Sequence, residues 1–214
     1  MTFNMWGEES SADIQQGSPD QLLDRSQLNK KYTKPLIAID RDGVLIECKD
    51  GIKTRDRFIP IEGSLAAVSM IRAKGYKLAV IFDQPGISRG ELTIDEVEDM
   101  NNYMIELFGD VGCPSIDGVL YNMSDSKDDM YAKPKTAMLK RLRDEFRVPI
   151  KGGYYVGDRL VDAKMADKAN LKPILVKTGK YSEDEKKFNS FANRPLKKKT
   201  KVYNNLLDFA ESLL

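Results

Sequence analysis

Two acidic residues, Asp40 and Asp42, stand at the end of an apolar run in the stretch LIAIDRDGVLIE, residues 36–47. Neighbouring carboxylates are suited to metal-assisted phosphoryl transfer, because Mg²⁺ prefers oxygen ligands and leaves room for a substrate phosphate. Charged or glycine-rich turns follow three further apolar runs: DQPGISRG (83–90), the loop AKPK with Lys133, and GDRLVD (157–162). Four such turns in one chain favour a phosphoryl-transfer site far more than the acid pair does alone.

The residue types in these turns allow a specific chemistry. Asp40 could attack phosphorus to give an aspartyl-phosphate, while Asp42 protonates the leaving oxygen and later takes a proton from water. Mg²⁺ could be held by Asp40, by the backbone carbonyl of Asp42 and by Asp158. Lys133 would neutralise the shared negative charge as a compact cation. The candidate catalytic residues are therefore Asp40, Asp42 and Lys133, and the candidate metal ligands are Asp40, Asp42 and Asp158.

Each motif taken alone also has a structural interpretation. The DRDG sequence could form an Asx turn at a strand end, and Lys133 could be a surface lysine. The GDRLVD sequence could cap a helix, with Asp162 on a solvated face. The acidic segment SDSKDD (124–129) is interpreted as a solvated loop. Only the ordered combination points to chemistry.

The segments between these turns predict the elements that position them. Five short apolar runs predict buried strands: PLIAID, KLAVIF, DGVLYN, GGYYVGD and KPILV. Helices are predicted between them, with Ser64 capping the first and with Thr93 and Glu96 forming a capping box on the second. This alternation predicts an α/β fold, a doubly wound, Rossmann-like parallel sheet of five to six strands with helices on both faces. Such sheets bind ligands at the carboxyl ends of their strands, where the four turns fall.

Composition sets the domain organisation and excludes several function classes. Residues 1–33 are polar and predict a partly disordered arm, whereas residues 34–214 predict a single domain. The absence of histidine excludes a Ser-His-Asp hydrolase and an HExxH metalloprotease. A formal charge of +1 argues against a nucleic-acid partner, and no apolar run reaches the roughly 20 residues that span a membrane. The two cysteines lie far apart in the sequence, which predicts a reducing, cytoplasmic location.

The ordered motifs resemble those of the haloacid dehalogenase-like (HAD) phosphatases over about residues 35–179. Three phrases, DRDG, QPGISRG and VGDRLVDAKMA…VKTGK, are similar to the group of D-glycero-D-manno-heptose 1,7-bisphosphate and histidinol-phosphate phosphatases. The resemblance implies a Mg²⁺ cofactor, a small phosphorylated substrate and no large cap domain. It also implies roles for five charged residues: Asp40 as nucleophile, Asp42 as acid/base, Lys133 as the motif lysine, Asp158 as metal ligand and Asp162 as its supporting acid.

The second motif departs from that family at the end of its strand. A Thr or Ser hydroxyl usually holds the phosphoryl group there, whereas this chain has Phe82, followed by Asp83 in place of Asn. A hydroxyl donor is therefore missing and a negative charge is added. Backbone N–H groups of the following turn, with Gln84 and Gly86, could still bind the phosphate of the substrate. Ala132 stands where the heptose enzymes often have an arginine that contacts substrate.

Three functions remain open at this point. The first is a Mg²⁺-dependent phosphatase acting on a small phosphorylated metabolite such as a sugar phosphate, whose distal part Arg89 and Arg159 would bind. The second is a polynucleotide 3′-phosphatase, which has local support only in the KKKTK run and Arg89. The third is a HAD-like binding or regulatory protein with attenuated catalysis, which Phe82 and Asp83 favour. The sequence does not decide between a monomer and a dimer.

Overall fold

The computed structural model describes residues 2–3, 33–47, 54–109, 116–144 and 149–213. Its strands are β1 (Thr2–Phe3), β2 (Lys34–Ile39), β3 (Tyr76–Asp83), β4 (Gly118–Asn122), β5 (Tyr154–Gly157), β6 (Lys172–Val176) and β7 (Lys201–Tyr203). They form one sheet with the order β1-β4-β3-β2-β5-β6-β7. Strands β2 to β7 run parallel, and β1 pairs antiparallel with β4.

Helices cover both faces of this sheet. They are α1 (Ser64–Ala73), α2 (Ile94–Gly109), α3 (Ala137–Asp144), α4 (Leu160–Lys168), α5 (Tyr181–Phe188), α6 (Arg194–Lys199) and α7 (Leu206–Glu211). Successive strand side chains point to opposite faces, so Ile37 and Ile39 of β2 pack with α1, α2 and α7. Leu36 and Ala38 of the same strand pack with α3 and α4 on the other face. The predicted α/β, doubly wound parallel sheet is confirmed.

The carboxyl ends of three adjacent strands bring predicted site residues to one edge. Strand β2 lies between β3 and β5, and the N–H of Asp40, directly after β2, donates to the carbonyl of Val156 in β5 at 2.9 Å. Asp83 ends β3, and Asp158 directly follows β5. From β2 the chain first adds β3 and β4 on one side of this strand and later adds β5, β6 and β7 on its other side. Sheets of this kind bind ligands in the crevice at the carboxyl end of the strand where the order reverses.

The five strands expected from the sequence are all present. The capping box is also confirmed, because the N–H of Thr93 donates to Glu96 at 2.7 Å and the N–H of Glu96 donates to Thr93 Oγ1 at 3.1 Å. The expected cap at Ser64 is wrong. Gly63 is the N-cap of α1, with a φ of 79°, and Ser64 is the first helical residue.

Strand β7 lies in the basic stretch PLKKKTKVY, where the sequence pattern predicted no strand. Most of the predicted N-terminal arm lies outside the described residues. Within the described residues, no helix is both long enough and apolar enough to cross a membrane.

Candidate active site

Asp40 is held at the end of β2 by the backbone and by a lysine. Its Oδ1 accepts the N–H of Arg41 at 2.8 Å, and its Oδ2 lies 2.7 Å from Lys133 Nζ. Burial, only partly offset by Lys133, raises the pKa of Asp40 well above its usual 3.8. An ionised Asp40 therefore depends on positive charge close by.

Lys133 joins Asp40 to a second buried carboxylate. Its Nζ donates to Asp162 Oδ1 at 2.9 Å, and Asp162 Oδ2 accepts the N–H of Arg159 at 3.0 Å, at the start of α4. Burial alone would lower the pKa of Lys133, but the carboxylates of Asp162 and Asp40 outweigh it and raise that pKa well above its ordinary value. Lys133 is thus a buried cation and not a surface lysine, and Asp162 lies in the interior and not on a solvated face.

Asp158 completes an acidic cluster. One carboxylate oxygen from each of Asp40, Asp158 and Asp162 lies within 4.8 Å of the other two. Burial, together with the charge of Asp162, raises the pKa of Asp158 to about 6, against the N–H of Lys180 that donates to its Oδ2 at 2.6 Å. Burying several carboxylates together is costly unless a cation is shared between them. The donor set therefore fits a divalent cation with oxygen ligands.

The backbone around Asp158 leaves little room for other side chains. A Cβ atom added at Gly43 or at Gly179 would overlap the Asp158 carboxylate, and both glycines have positive φ, 83° and 59°. The Thr178 hydroxyl ties this turn together by donating to the Gly43 carbonyl at 2.6 Å. The carbonyl of Asp42 accepts no hydrogen bond from the described residues, so it is available to a ligand.

The carboxylate of Asp42 bonds to Arg41 and is not part of the acidic cluster. Arg41 Nε lies 3.3 and 3.2 Å from Asp42 Oδ1 and Oδ2, and Arg41 Nη2 lies 2.9 Å from Oδ2. The same Nη2 donates to Gln84 Oε1 at 2.8 Å. To protonate a leaving group, the Asp42 carboxyl must first loosen its contacts with Arg41.

Phe82 and Asp83 form the end of β3. The Phe82 ring is 1% exposed and stacks on Tyr121, with centroids 5.3 Å apart. The guanidinium carbon of Arg41 lies over the Phe82 ring, 3.8 Å from its centroid. Asp83 accepts the side-chain N–H of Asn122 at 3.0 Å, and burial raises the pKa of Asp83. This strand end thus presents a ring covered by an arginine, where the resemblance led us to expect a hydroxyl.

An open pocket of about 350 Å³ lies above these groups. Every residue predicted for the site lines it except Phe82, and the lining comprises Asp40, Arg41, Asp42, Asp83, Gln84, Pro85, Gly86, Arg89, Glu91, Leu92, Lys133, Asp158, Arg159, Val161, Asp162 and Lys180. Its two predicted distal arginines are both paired. Arg89 lies 2.7 Å from Glu91 and 3.3 Å from Asp125, and Arg159 lies 2.8 Å from Asp184.

Sequence reasoning missed three residues that shape this site. Arg41 was overlooked between two acids, although an arginine flanked by carboxylates is a signal for an ion pair. Lys180 follows the glycine of VKTGK, and its N–H reaches Asp158. Asp184 of α5 holds both the Arg159 side chain, at 2.8 Å, and the N–H of Leu160, at 3.1 Å. No local motif marks Asp184, because it meets Arg159 only through the fold.

Comparison with known proteins places the chain in a family. A family model described as HAD-hydrolase-like matches residues 130–209. The D-glycero-beta-D-manno-heptose-1,7-bisphosphate 7-phosphatase of Neisseria meningitidis is 34% identical over 181 residues, covering 84% of this chain and 94% of that protein. The chain belongs to the HAD-like phosphatases. It is a phosphoric monoester hydrolase of that family, which confirms the predicted enzyme class.

Other HAD-like phosphatases support the same assignment. The enzyme of the same name from Pseudomonas aeruginosa is 31% identical over 185 residues, covering 85% of this chain and 99% of its own. The crystal structure of the D,D-heptose 1,7-bisphosphate phosphatase from B. bronchiseptica, complexed with magnesium and phosphate, aligns with a TM-score of 0.74. It is 25% identical and covers 83% of this HAD-like phosphatase and 97% of its own chain.

Proposed function

We propose that this HAD-like phosphatase hydrolyses the phosphate monoester of a small sugar phosphate, of the heptose bisphosphate kind, with Mg²⁺ as its metal. The observation that carries the proposal is the close grouping of Asp40, Lys133 and Asp158 beneath an open pocket. Relatives covering most of the chain are named for heptose bisphosphate, and one structural relative was crystallised with magnesium and phosphate.

The metal would be held by oxygen atoms that fit its preferences. These are the carboxylates of Asp40 and Asp158 and the backbone carbonyl of Asp42, with Asp162 behind them. Mg²⁺ bound there would offset the negative charge of the cluster and polarise the phosphoryl oxygens. Lys133 supplies the second positive charge, since its Nζ already lies 2.7 Å from Asp40.

The side chains can carry two successive displacements at phosphorus. Asp40 attacks, an O–P bond forms, and the bond to the leaving oxygen breaks as Asp42 gives that oxygen a proton. Water then attacks the aspartyl-phosphate, Asp42 takes the proton back, and Asp40 is released with inorganic phosphate. Lys133 stays protonated throughout because two carboxylates hold it.

The remainder of the pocket would select the substrate. In the turn after β3, the N–H of Gln84 donates to the Asn122 carbonyl at 2.7 Å. The N–H of Gly86 donates to none of the described residues, so it could bind a phosphoryl oxygen. Arg89 and Arg159 also line the pocket, and their side chains are 42% and 35% exposed, so they would contact a distal phosphate or hydroxyl group. Each would exchange an acidic partner for that group, which favours an anionic distal end over a neutral one.

Replacement of the nucleophile tests the proposal. Asp40→Asn should lower Mg²⁺-dependent phosphate release from heptose bisphosphate at least about 1,000-fold, since an amide cannot form the acyl-phosphate. The assay should include other sugar phosphates and a 3′-phosphorylated oligonucleotide. Asp128→Asn, at an exposed aspartate outside the pocket, is the matched control and should keep full activity. Turnover of no sugar phosphate by the unaltered enzyme, or equal turnover by Asp40→Asn, would refute the proposal.

A further inference from the structure

The guanidinium of Arg41 is fixed on three sides at the end of β3. Its Nε and Nη2 bond to the carboxylate of Asp42, and Nη2 also bonds to Gln84 Oε1. Its guanidinium carbon lies 3.8 Å from the centroid of the Phe82 ring, which is cation–π distance. These contacts hold a side chain with four rotatable bonds in one position. They must offset the conformational entropy that arginine loses when it is ordered.

The ring beneath Arg41 is itself supported. Phe82 stacks on Tyr121 at an interplanar angle of 18°, and the Tyr121 hydroxyl donates to Glu98 of α2. The result is a column from α2 to Arg41 at the floor of the pocket. Replacing a Thr hydroxyl by a phenyl ring removes a donor, but it also builds the platform that positions this guanidinium.

One edge of the guanidinium is left for a ligand. Arg41 Nη1 donates to none of the described residues. It is also not a buried nitrogen that lacks a partner, so it is accessible from the pocket. Arg41 lines the pocket next to Asp40 and Lys133. An arginine presents several N–H donors in a fixed plane. Nη1 can therefore bind a phosphoryl oxygen while Nη2 stays on Gln84, both before and after Asp42 is released for proton transfer.

We propose that Arg41, carried on Phe82, is a phosphoryl-binding residue that replaces the missing hydroxyl of the second motif. It donates from Nη1 to an oxygen of the transferring phosphoryl group, where negative charge must be stabilised. A cationic donor also counters the carboxylate that Asp83 adds at this strand end, which a neutral hydroxyl would not. The inference rests on the proposed phosphatase chemistry and identifies a residue that this chain uses for it.

The test is phosphoryl affinity, measured with orthovanadate in the presence of Mg²⁺ by titration calorimetry. Arg41→Gln and Arg41→Met should each weaken orthovanadate binding and lower kcat/KM about 100-fold, the usual loss when one charge-stabilising donor is removed. The loss should be the same for 4-nitrophenyl phosphate and for a sugar phosphate. Arg143→Gln, at an exposed arginine of α3, is the control and should change neither quantity.

The two substrates separate this role from one that acts only through Asp42. If Arg41 merely positioned Asp42, the loss would be large for the sugar phosphate, whose leaving group needs a proton, and small for 4-nitrophenyl phosphate. That pattern, or unchanged orthovanadate affinity in folded variants, would overturn the inference while leaving the phosphatase proposal intact. An unaltered enzyme that neither binds orthovanadate nor turns over any substrate would overturn both.

A crystal structure of the unaltered protein with Mg²⁺ and orthovanadate decides the matter even if both Arg41 variants fail to fold. We expect an Arg41 nitrogen within about 3.2 Å of a vanadate oxygen, the range of a hydrogen bond. A separation above about 4 Å, with Arg41 still bound to Asp42, would refute the contact.

Discussion

The position of Asp158 depends on residues that have no side chain. Gly43 and Gly179 lie against its carboxylate from two turns that are distant in sequence. The family pattern places glycine after the acid pair, and the structure supplies a physical reason for it. Any Cβ there would displace the carboxylate proposed to hold the metal.

Alanine at Gly43 should therefore damage metal binding more than folding. We expect Gly43→Ala to lower Mg²⁺ affinity at least about 10-fold, in line with the loss caused when a ligand is displaced by its supporting shell. Part of its effect is backbone strain of about 1–2 kcal/mol, because φ is 83°. Calorimetric titration of Mg²⁺ and urea unfolding measure the two effects separately.

Gly75→Ala is the matched control for this strain. Gly75 has a φ of 85°, and a Cβ there would meet nothing within 4 Å. It should lose a similar free energy of unfolding and keep its Mg²⁺ affinity. Equal Mg²⁺ affinity in both variants would show that Asp158 tolerates the extra carbon, contrary to the expectation.

The strands could be predicted from the sequence, whereas the contacts between them could not. Residues 36–39 of β2, 78–82 of β3 and 118–121 of β4 are apolar and buried, because both faces of a parallel sheet are covered. The carboxyl-end acids followed from that pattern alone. The N-cap at Gly63 was missed because serine is the stronger local signal, whereas a positive φ of 79° at this turn requires glycine. Strand β7 was missed because its three residues, Lys201–Tyr203, follow a lysine-rich stretch and are too few to show a clear period.

The sequence also could not reveal which side chains distant along the chain contact each other. Arg41 and Phe82 lie far apart in the sequence and meet only because β2 and β3 are neighbouring strands. Arg159 and Asp184 likewise meet only when α5 packs beside α4. Motif reading found the acids since their spacing is local. It could not find the groups that orient them.

Helix α7 offers a prediction that is independent of the site. Asn205 Oδ1 accepts the N–H of Asp208 at 2.8 Å, which caps the helix, whereas the Asn204 side chain donates to the Asp208 side chain. Asn205→Ala should lower the free energy of unfolding by about 1 kcal/mol and Asn204→Ala by much less. Urea unfolding measures both. Neither variant should alter catalysis. Equal losses of unfolding free energy in the two variants would mean that the Asn205 cap contributes nothing specific.

The buried carboxylates couple the stability of the folded protein to pH and to metal binding. Burial raises the pKa of Asp158 from 3.8 to about 6. Between these pH values the folded protein keeps a proton that the unfolded chain has released, so the free energy of unfolding falls as pH rises from about 4 to about 6. A shift of this size corresponds to at most about 3 kcal/mol.

Asp158→Asn should remove the part of this dependence that comes from Asp158, whereas Asp40, whose pKa burial also raises, keeps its own part. With EDTA present, the unaltered protein should lose stability relative to Asp158→Asn as pH rises from about 4 to about 7, because the carboxylate must ionise inside the cluster. Saturating Mg²⁺ should restore about 2–3 kcal/mol to the unaltered protein at a hundredfold excess over its dissociation constant, and little to Asp158→Asn. Urea unfolding across this pH range, with exposed Asp128→Asn as control, measures both effects. If the free energies of unfolding of the unaltered protein and of Asp158→Asn ran parallel with pH, ionising Asp158 in the cluster would cost nothing. The acidic cluster would then be no argument for a bound cation.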